Sequence, residues 1–272
     1  MPRLREAVRL PDAMRPSVLF AVAALAMPTL AAPVKKPVSW KLAGAAYEGV
    51  LVYDDAVKTP RPALVMVPNW LGVTEAAVKQ ASELAGTKYV ILVADVYGVA
   101  SKPKDRDQAG KAAGALKNDR ALLRARVNKA LQALLAQAKS APLDAKKVGA
   151  IGFCFGGTAA LELARSGADV AGVVSFHGGL SSPTPADAKA IRGRVLALHG
   201  ADDPSVPPEE VRAFEDELRA AHTDWQLVSF GGAVHSFTDP EANVPGRAQY
   251  HPQAARRAFK LMDDFFAELF GG

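Results

Sequence analysis

The chain has 272 residues, of which 49% are hydrophobic and 22% charged. That balance excludes a disordered chain, and with only one apolar run near membrane length it excludes a polytopic membrane protein. A formal charge of +5, Lys and Arg spread along the chain and 7% aromatics give no basic, stacking surface, so no nucleic-acid partner is expected. The single cysteine, Cys154, excludes an intrachain disulfide and a multi-cysteine zinc site.

Residues 1–32 read as a secretory signal. Arg3, Arg5, Arg9 and Arg15 supply a positive start, Val18 to Met27 is an uninterrupted apolar run, Pro28 breaks it, and Ala31 and Ala32 offer small residues for cleavage. The run is shorter than the roughly 20 apolar residues a spanning helix needs. The expectation is export, most simply to a periplasm, with no stable membrane insertion after cleavage.

Pro33 to Pro37 reads as a short spacer, and Tyr47 to Tyr53 as an early strand. Ala63 to Val67 is an apolar run between two prolines, as a buried strand would be. Thr74 and Glu75 open a helix through about Ala85, and Tyr89 to Ala94 is a second buried strand. Residues 105–138, rich in Ala, Leu, Lys and Arg, read as helix. The basic residues from Lys102 to Arg126 read as its solvated face. Val148 to Gly152 is a strand, followed by a helix from about Gly156 to Arg165. Val170 to Ser175 and Val195 to His199 are further buried runs. Pro207 and Pro208 open a helix through about Ala221. Trp225 to Phe230 is the last strand and His251 to Phe270 the closing helix. This alternation predicts one α/β domain over residues 33–272, with a mostly parallel central sheet and helices on both faces.

Val148 to Gly157 is the most informative segment. A buried strand runs into Gly152-Phe153-Cys154-Phe155-Gly156 and a helix follows, which is the Gly-x-nucleophile-x-Gly elbow with Cys in the place of Ser. The turn is so sharp that side chains at the flanking positions would collide with backbone. The helix N-terminus favours a thiolate, and the Phe155 N–H points where an oxyanion would form. The bland alternative is that Cys154 is a buried small hydrophobe, common for a free cysteine. The strand before and the helix after favour the elbow.

An elbow nucleophile needs an acid and then a histidine later in the chain. Of the five histidines, His235 lies in the glycine-rich loop Gly231 to Phe237 just after the last strand, where catalytic loops of open α/β sheets sit. His199, at a strand end, reads as structural. The loop after the preceding strand supplies Asp202 and Asp203, and the residues alone do not choose between them.

From about Tyr47 to Phe270 the chain resembles the dienelactone hydrolase family of α/β-hydrolases. Pro68-Asn-Trp-Leu-Gly-Val73, Ala94-Asp-Val-Tyr97, Gly152 to Gly156, Gly200 to Pro207 and Gly232 to Phe237 carry the resemblance in order and spacing. It implies an α/β-hydrolase fold and a triad of Cys154, Asp203 and His235, the acid being fixed by the Gly-x-x-Asp spacing from Gly200. It also implies a second oxyanion N–H from Trp70 beside that of Phe155. The candidate substrate contacts are Asn69, Tyr97, Ser236 and Phe237, and Trp70, Tyr97, Phe153, Phe155 and Phe237 are candidates for an apolar pocket, with core packing as the alternative for each. Members that open dienelactone carry Glu where this chain has Asn69, and arginines where it has Val99 and Asp239. Asn69 cannot take up the thiol proton, which leaves His235 to do so, and Asp239 would repel an anionic ligand. The expected activity is therefore hydrolysis of a neutral or cationic ester or lactone, other than dienelactone, through a thioester. No cofactor or metal is expected, the partner is a small molecule, and the protein is expected to be a monomer. The rivals are a peptidase or acyltransferase on the same scaffold, and a non-catalytic redox-sensing or binding protein that uses the thiol.

Overall fold

The structure, a computed structural model, describes residues 33–271. The export signal expected over residues 1–32 lies outside them.

One sheet of eight strands organises the chain: β1 (Val34–Leu42), β2 (Ala45–Tyr53), β3 (Arg61–Val67), β4 (Val90–Val93), β5 (Leu143–Phe153), β6 (Gly172–Phe176), β7 (Arg194–Gly200) and β8 (Trp225–Phe230), in spatial order β1-β2-β4-β3-β5-β6-β7-β8. The strands from β4 to β8 pair in parallel, and β1 and β2 form an antiparallel hairpin joined antiparallel to β4. The expected spacer at Pro33 to Pro37 is instead the start of β1. Val34 to Leu42 alternates inward Val38 and Trp40 with exposed Lys and Ser, and at the sheet edge Pro37 leaves no donor missing from a central ladder.

Helices α1 (Glu75–Ala85) and α6 (Pro252–Phe270) cover one face, and α2 (Arg106–Asn118), α3 (Arg120–Leu135), α4 (Phe155–Arg165) and α5 (Pro208–Ala220) the other. The continuous apolar runs of the central strands divide between two cores with the period of the pleat. In β3, Ala63, Val65 and Val67 pack under α2 to α5, while Leu64 and Met66 pack under α1 and α6. β4 and β7 divide in the same way. At about 25 cal/mol per Å² of apolar surface, burial on both faces is the main source of stability for such a sheet.

The single helix expected over residues 105–138 is two helices. Asp119 ends α2 and caps α3, its carboxylate accepting the Leu122 N–H at 2.9 Å. The basic stretch is not a solvated face throughout. Arg120 and Arg124 turn inward to Glu162, and Arg126 donates to the carbonyls of Val96 and Tyr97. Arg165, on α4, binds Glu162 and Glu217 in the same buried network.

The chain passes from β3 to β4 on one side and then crosses back to β5 on the other. A crevice therefore opens beyond the carboxyl ends of β3 and β5, where open α/β sheets bind ligands.

Candidate active site

Cys154 follows β5 directly, at φ 56° and ψ −120°, as the N-cap of α4. A Cβ on Gly152 would overlap the Gly156 carbonyl, and one on Gly156 would overlap the Val67 carbonyl, so the elbow closes only around glycines. Three of the five non-glycine residues with positive φ among the described residues, Cys154, His177 and Ser236, stand here. Backbone strain of this kind concentrates at functional sites.

His235 comes from the loop after β8 and Asp203 from the loop after β7. His235 Nε2 lies 2.9 Å from Cys154 Sγ, and its Nδ1 lies 2.8 Å from Asp203 Oδ2. The other Asp203 oxygen accepts the Ser205 N–H at 2.8 Å. Asp202 points away and accepts the Gly232 N–H at 3.0 Å, a turn contact. The His235 backbone is held by a short hairpin, β9 (Asn243–Val244) and β10 (Ala248–Gln249), that the sequence pattern did not reveal. Gln249 donates its N–H to the His235 carbonyl at 3.0 Å.

Burial pushes the Cys154 thiol up. The hydrogen bond and charge of His235, the Phe155 N–H and the field of Lys117 outweigh it, and the thiol lies below its ordinary value. Burial also opposes the charge on His235, but Asp203 and Cys154 raise it to about 10. Asp203 resists burial through the same contacts and through Ser205, and is lowered. All three directions favour charge on the Cys154 sulfur, the His235 ring and the Asp203 carboxylate.

Trp70 lies in the loop after β3, half-buried, with Arg106 stacked 5.0 Å from its ring centroid. The Tyr97 hydroxyl donates to the Trp70 carbonyl at 2.8 Å, and its ring stacks on Phe155 at 5.9 Å. Burial keeps the Tyr97 phenol protonated and raises its pKa, so it remains a donor. Asn69 Oδ1 accepts the Leu71 N–H at 3.0 Å, which shapes the same loop.

Of the residues expected to touch substrate, Asn69 and Ser236 line a cleft of about 680 Å³ between α1, α6 and the loop after His235. Phe153, His177, Thr238 and Asp239 line it too, while Cys154 and His235 do not. Tyr97 is nearly buried and supports the Trp70 loop. Phe237 has no exposed surface. Its ring meets the edge of His177 at 5.3 Å and packs on Phe230, so its side chain supports the site from the core and offers no face to a ligand. A glycine-rich loop gave no signal for which of its residues turns inward.

The sequence places His177 at a strand end but assigns it no role beside His235. It is buried at the end of β6, with Nδ1 accepting the Cys154 N–H at 3.2 Å and Nε2 lying 2.8 Å from Thr238 Oγ1. A histidine directly after a buried strand, one pairing away from the elbow strand, was the signal available. His199 is buried as a structural residue would be, and its Nδ1 has no hydrogen-bond partner among the described residues.

The sequence profile of the dienelactone hydrolase family matches residues 47–270. Among curated relatives, an uncharacterized protein of Caenorhabditis elegans is 37% identical over 145 residues, covering 52% of this chain and 92% of the relative. A putative carboxymethylenebutenolidase of Yersinia pestis is 30% identical over 133 residues, which span 46% of this chain and only 48% of that protein. Among solved structures, the dienelactone hydrolase-like promiscuous phosphotriesterase P91 from metagenomic libraries is 38% identical, with 88% of this chain and 99% of that one covered at a TM-score of 0.80. The putative dienelactone hydrolase of Klebsiella pneumoniae, 23% identical with a TM-score of 0.74 and 87% and 99% coverage, shares the fold.

Proposed function

The chain belongs to the dienelactone hydrolase family of α/β-hydrolases, and we propose that it hydrolyses a carboxylic ester or lactone through a Cys154 thioester. One observation carries the reading: Cys154 Sγ lies 2.9 Å from an imidazole whose other nitrogen is held by a buried carboxylate. In this reading the thiolate attacks the acyl carbon, and the negative charge moves to the carbonyl oxygen. The N–H groups of Phe155 and Trp70 receive that oxyanion, each worth on the order of 3 kcal/mol. The imidazolium of His235 protonates the departing alcohol, leaving a thioester and a neutral imidazole. His235 then takes a proton from water as the oxygen attacks the thioester, and the acid leaves as the thiolate is restored. Asp203 holds the imidazole orientation throughout. Thiolate leaves a tetrahedral intermediate more readily than an amine does, which favours esters and lactones over peptides.

The substrate proposed is uncharged or cationic. In the adjoining cleft Lys79 and Lys88 are paired with Glu83 and Asp263, which leaves Asp239 and Glu241 as uncompensated charge that a substrate carboxylate would meet. Because the relative P91 is described as a promiscuous phosphotriesterase, a phosphotriester belongs beside esters and lactones in the substrate panel.

The test is turnover of p-nitrophenyl acetate and the wider panel by the wild type and by Cys154→Ala. Turnover that vanishes in the variant supports the thioester route. A variant that keeps its rate overturns the thioester route, and a wild type that turns over nothing while its thiol oxidises reversibly with peroxide assigns the thiol to redox sensing. Export is proposed separately from residues 1–32, and mass spectrometry of the exported protein would find an N-terminus near Ala32.

A further inference from the structure

We propose that His177 is a neutral positioning residue, a strut that joins the Cys154 elbow to the His235 loop and thereby sets the spacing between sulfur and imidazole. The proposal rests on the Cys154–His235 pair of the reading above.

His177 leaves the end of β6 at φ 40°, a left-handed backbone conformation uncommon for a residue with a side chain. Its own N–H donates to the Leu198 carbonyl at 2.8 Å, which fixes that backbone against β7. The ring then reaches two segments that the chain keeps far apart. On one side Nδ1 accepts the N–H of Cys154 at 3.2 Å, sharing it with the Phe176 carbonyl at 3.0 Å. On the other side Nε2 stands 2.8 Å from Oγ1 of Thr238, three residues beyond His235.

These two contacts dictate the tautomer. A backbone N–H only donates, so Nδ1 must present its lone pair, and the proton sits on Nε2, which donates to Thr238. A second proton would set N–H against N–H at the elbow. It would also place a positive charge beside the His235 ring, whose centroid is 5.3 Å away and edge-on. Burial and the His235 charge hold His177 neutral, with its pKa lowered to about 3. The groups that face it are His235 and Asp203 from the loops after β8 and β7, and Cys154 after β5. Phe153 and Phe237 close the ring in at 6.2 and 5.3 Å.

The strut does no chemistry. The Sγ–Nε2 distance, however, depends on where two loops stop. Without the Thr238 end, the hydrogen bond that still joins the histidine loop to the elbow among the described residues is the one between the reacting atoms, with packing such as Phe237 on His177 beside it. Any drift there weakens the hydrogen bond that lowers the thiol pKa.

The experiment compares Thr238→Val, which keeps the side-chain shape and removes the acceptor, with Thr238→Ser, which keeps the hydroxyl. Cys154 is the only cysteine, so the rate of iodoacetamide alkylation against pH reads its thiolate directly, without reference to ester turnover. Thr238→Val is expected to titrate about one pH unit higher, a tenfold loss of thiolate at a fixed pH below the midpoint, with its melting temperature near that of the wild type. Thr238→Ser is expected to titrate with the wild type. A Thr238→Val thiol that titrates as the wild type does overturns the strut, as does a Thr238→Ser thiol displaced equally far. Histidine nitrogen NMR of the wild-type protein supplies a second measurement that needs no variant. One imidazole should hold its proton on Nε2 and stay neutral between about pH 8 and about pH 5. A His177 that charges in that range, or carries its proton on Nδ1, overturns the proposal. A wild-type thiol with an ordinary pKa is a different failure, that of the ion pair and of the proposed function.

Discussion

His235 Nε2 lies 2.9 Å from Cys154 Sγ, across 81 residues of chain. That contact lowers the thiol against burial and raises the imidazole, so both shifts favour the charged pair. Alkylation of Cys154 should stay fast well below the ordinary thiol range. In His235→Ala the burial that pushes the thiol up remains while its largest counterweight is gone. Alkylation at neutral pH should then fall by about tenfold or more. A pH series with iodoacetamide checks this, and equal rates in the two proteins would refute it.

Asp203→Asn removes the charge behind His235 but keeps an oxygen for the Ser205 N–H. The raised pKa of His235 should fall toward the ordinary value, and kcat on p-nitrophenyl acetate should drop by about 10²–10⁴ with little change in the unfolding midpoint. Asp202→Asn, which alters only a turn contact to Gly232, should leave kcat nearly unchanged.

Gly156→Ala should cost about 3 kcal/mol or more, because the new methyl would meet the fixed Val67 carbonyl and not a movable side chain. Urea unfolding measures the loss. A midpoint near the wild-type value would mean that the elbow backbone can shift, contrary to its packing.

Arg165 and Glu217 form a buried bidentate pair, with both side chains almost wholly excluded from water. Glu217→Leu strands the guanidinium, which keeps only Glu162 and the Leu180 carbonyl, and should destabilise by about 3–5 kcal/mol. The double variant Arg165→Met/Glu217→Leu should recover much of that loss. Chemical denaturation of both variants decides it; a double variant no better than the single one would show that packing, and not the stranded charge, sets the cost.

His177 should make the fold acid-sensitive. Its native pKa is lowered to about 3, so between the ordinary histidine value near 6.5 and about 3 the unfolded chain binds a proton that the native state does not. Stability therefore falls as pH falls through that window, by up to about 1.4 kcal/mol per pH unit from this one group. His177→Asn, which tolerates the same backbone conformation and does not titrate, should show a shallower acid slope. Urea midpoints at several pH values between those limits would reveal whether the slopes differ.

Much of the fold was legible because its determinants are local. Buried parallel strands are apolar on both faces and announce themselves as runs, and Thr74 and Pro208 mark helix starts through groups that act within one turn. The Gly-x-Cys-x-Gly bend was legible for the same reason. β1 was missed because an edge strand buries only alternate residues, and its lysines and proline resemble a spacer. The break at Asp119 was missed because the flanking composition is uniformly helical. The inward turn of Arg120, Arg124 and Arg126 was missed because their partners lie on other elements.

By itself the sequence determined the order of the strands from Tyr47 to Phe230 and of the helices between them apart from the break at Asp119, the sulfur at a glycine-flanked bend, and the chain order of acid and histidine that follows it. Only the tertiary structure turned Asp203 toward His235 while Asp202 faced a turn, withdrew Phe237 into the core, and set His177 between Cys154 and Thr238. Backbone conformation is set largely by neighbours within a few residues. The direction of a side chain on an irregular loop is set by whichever distant strand ends it meets.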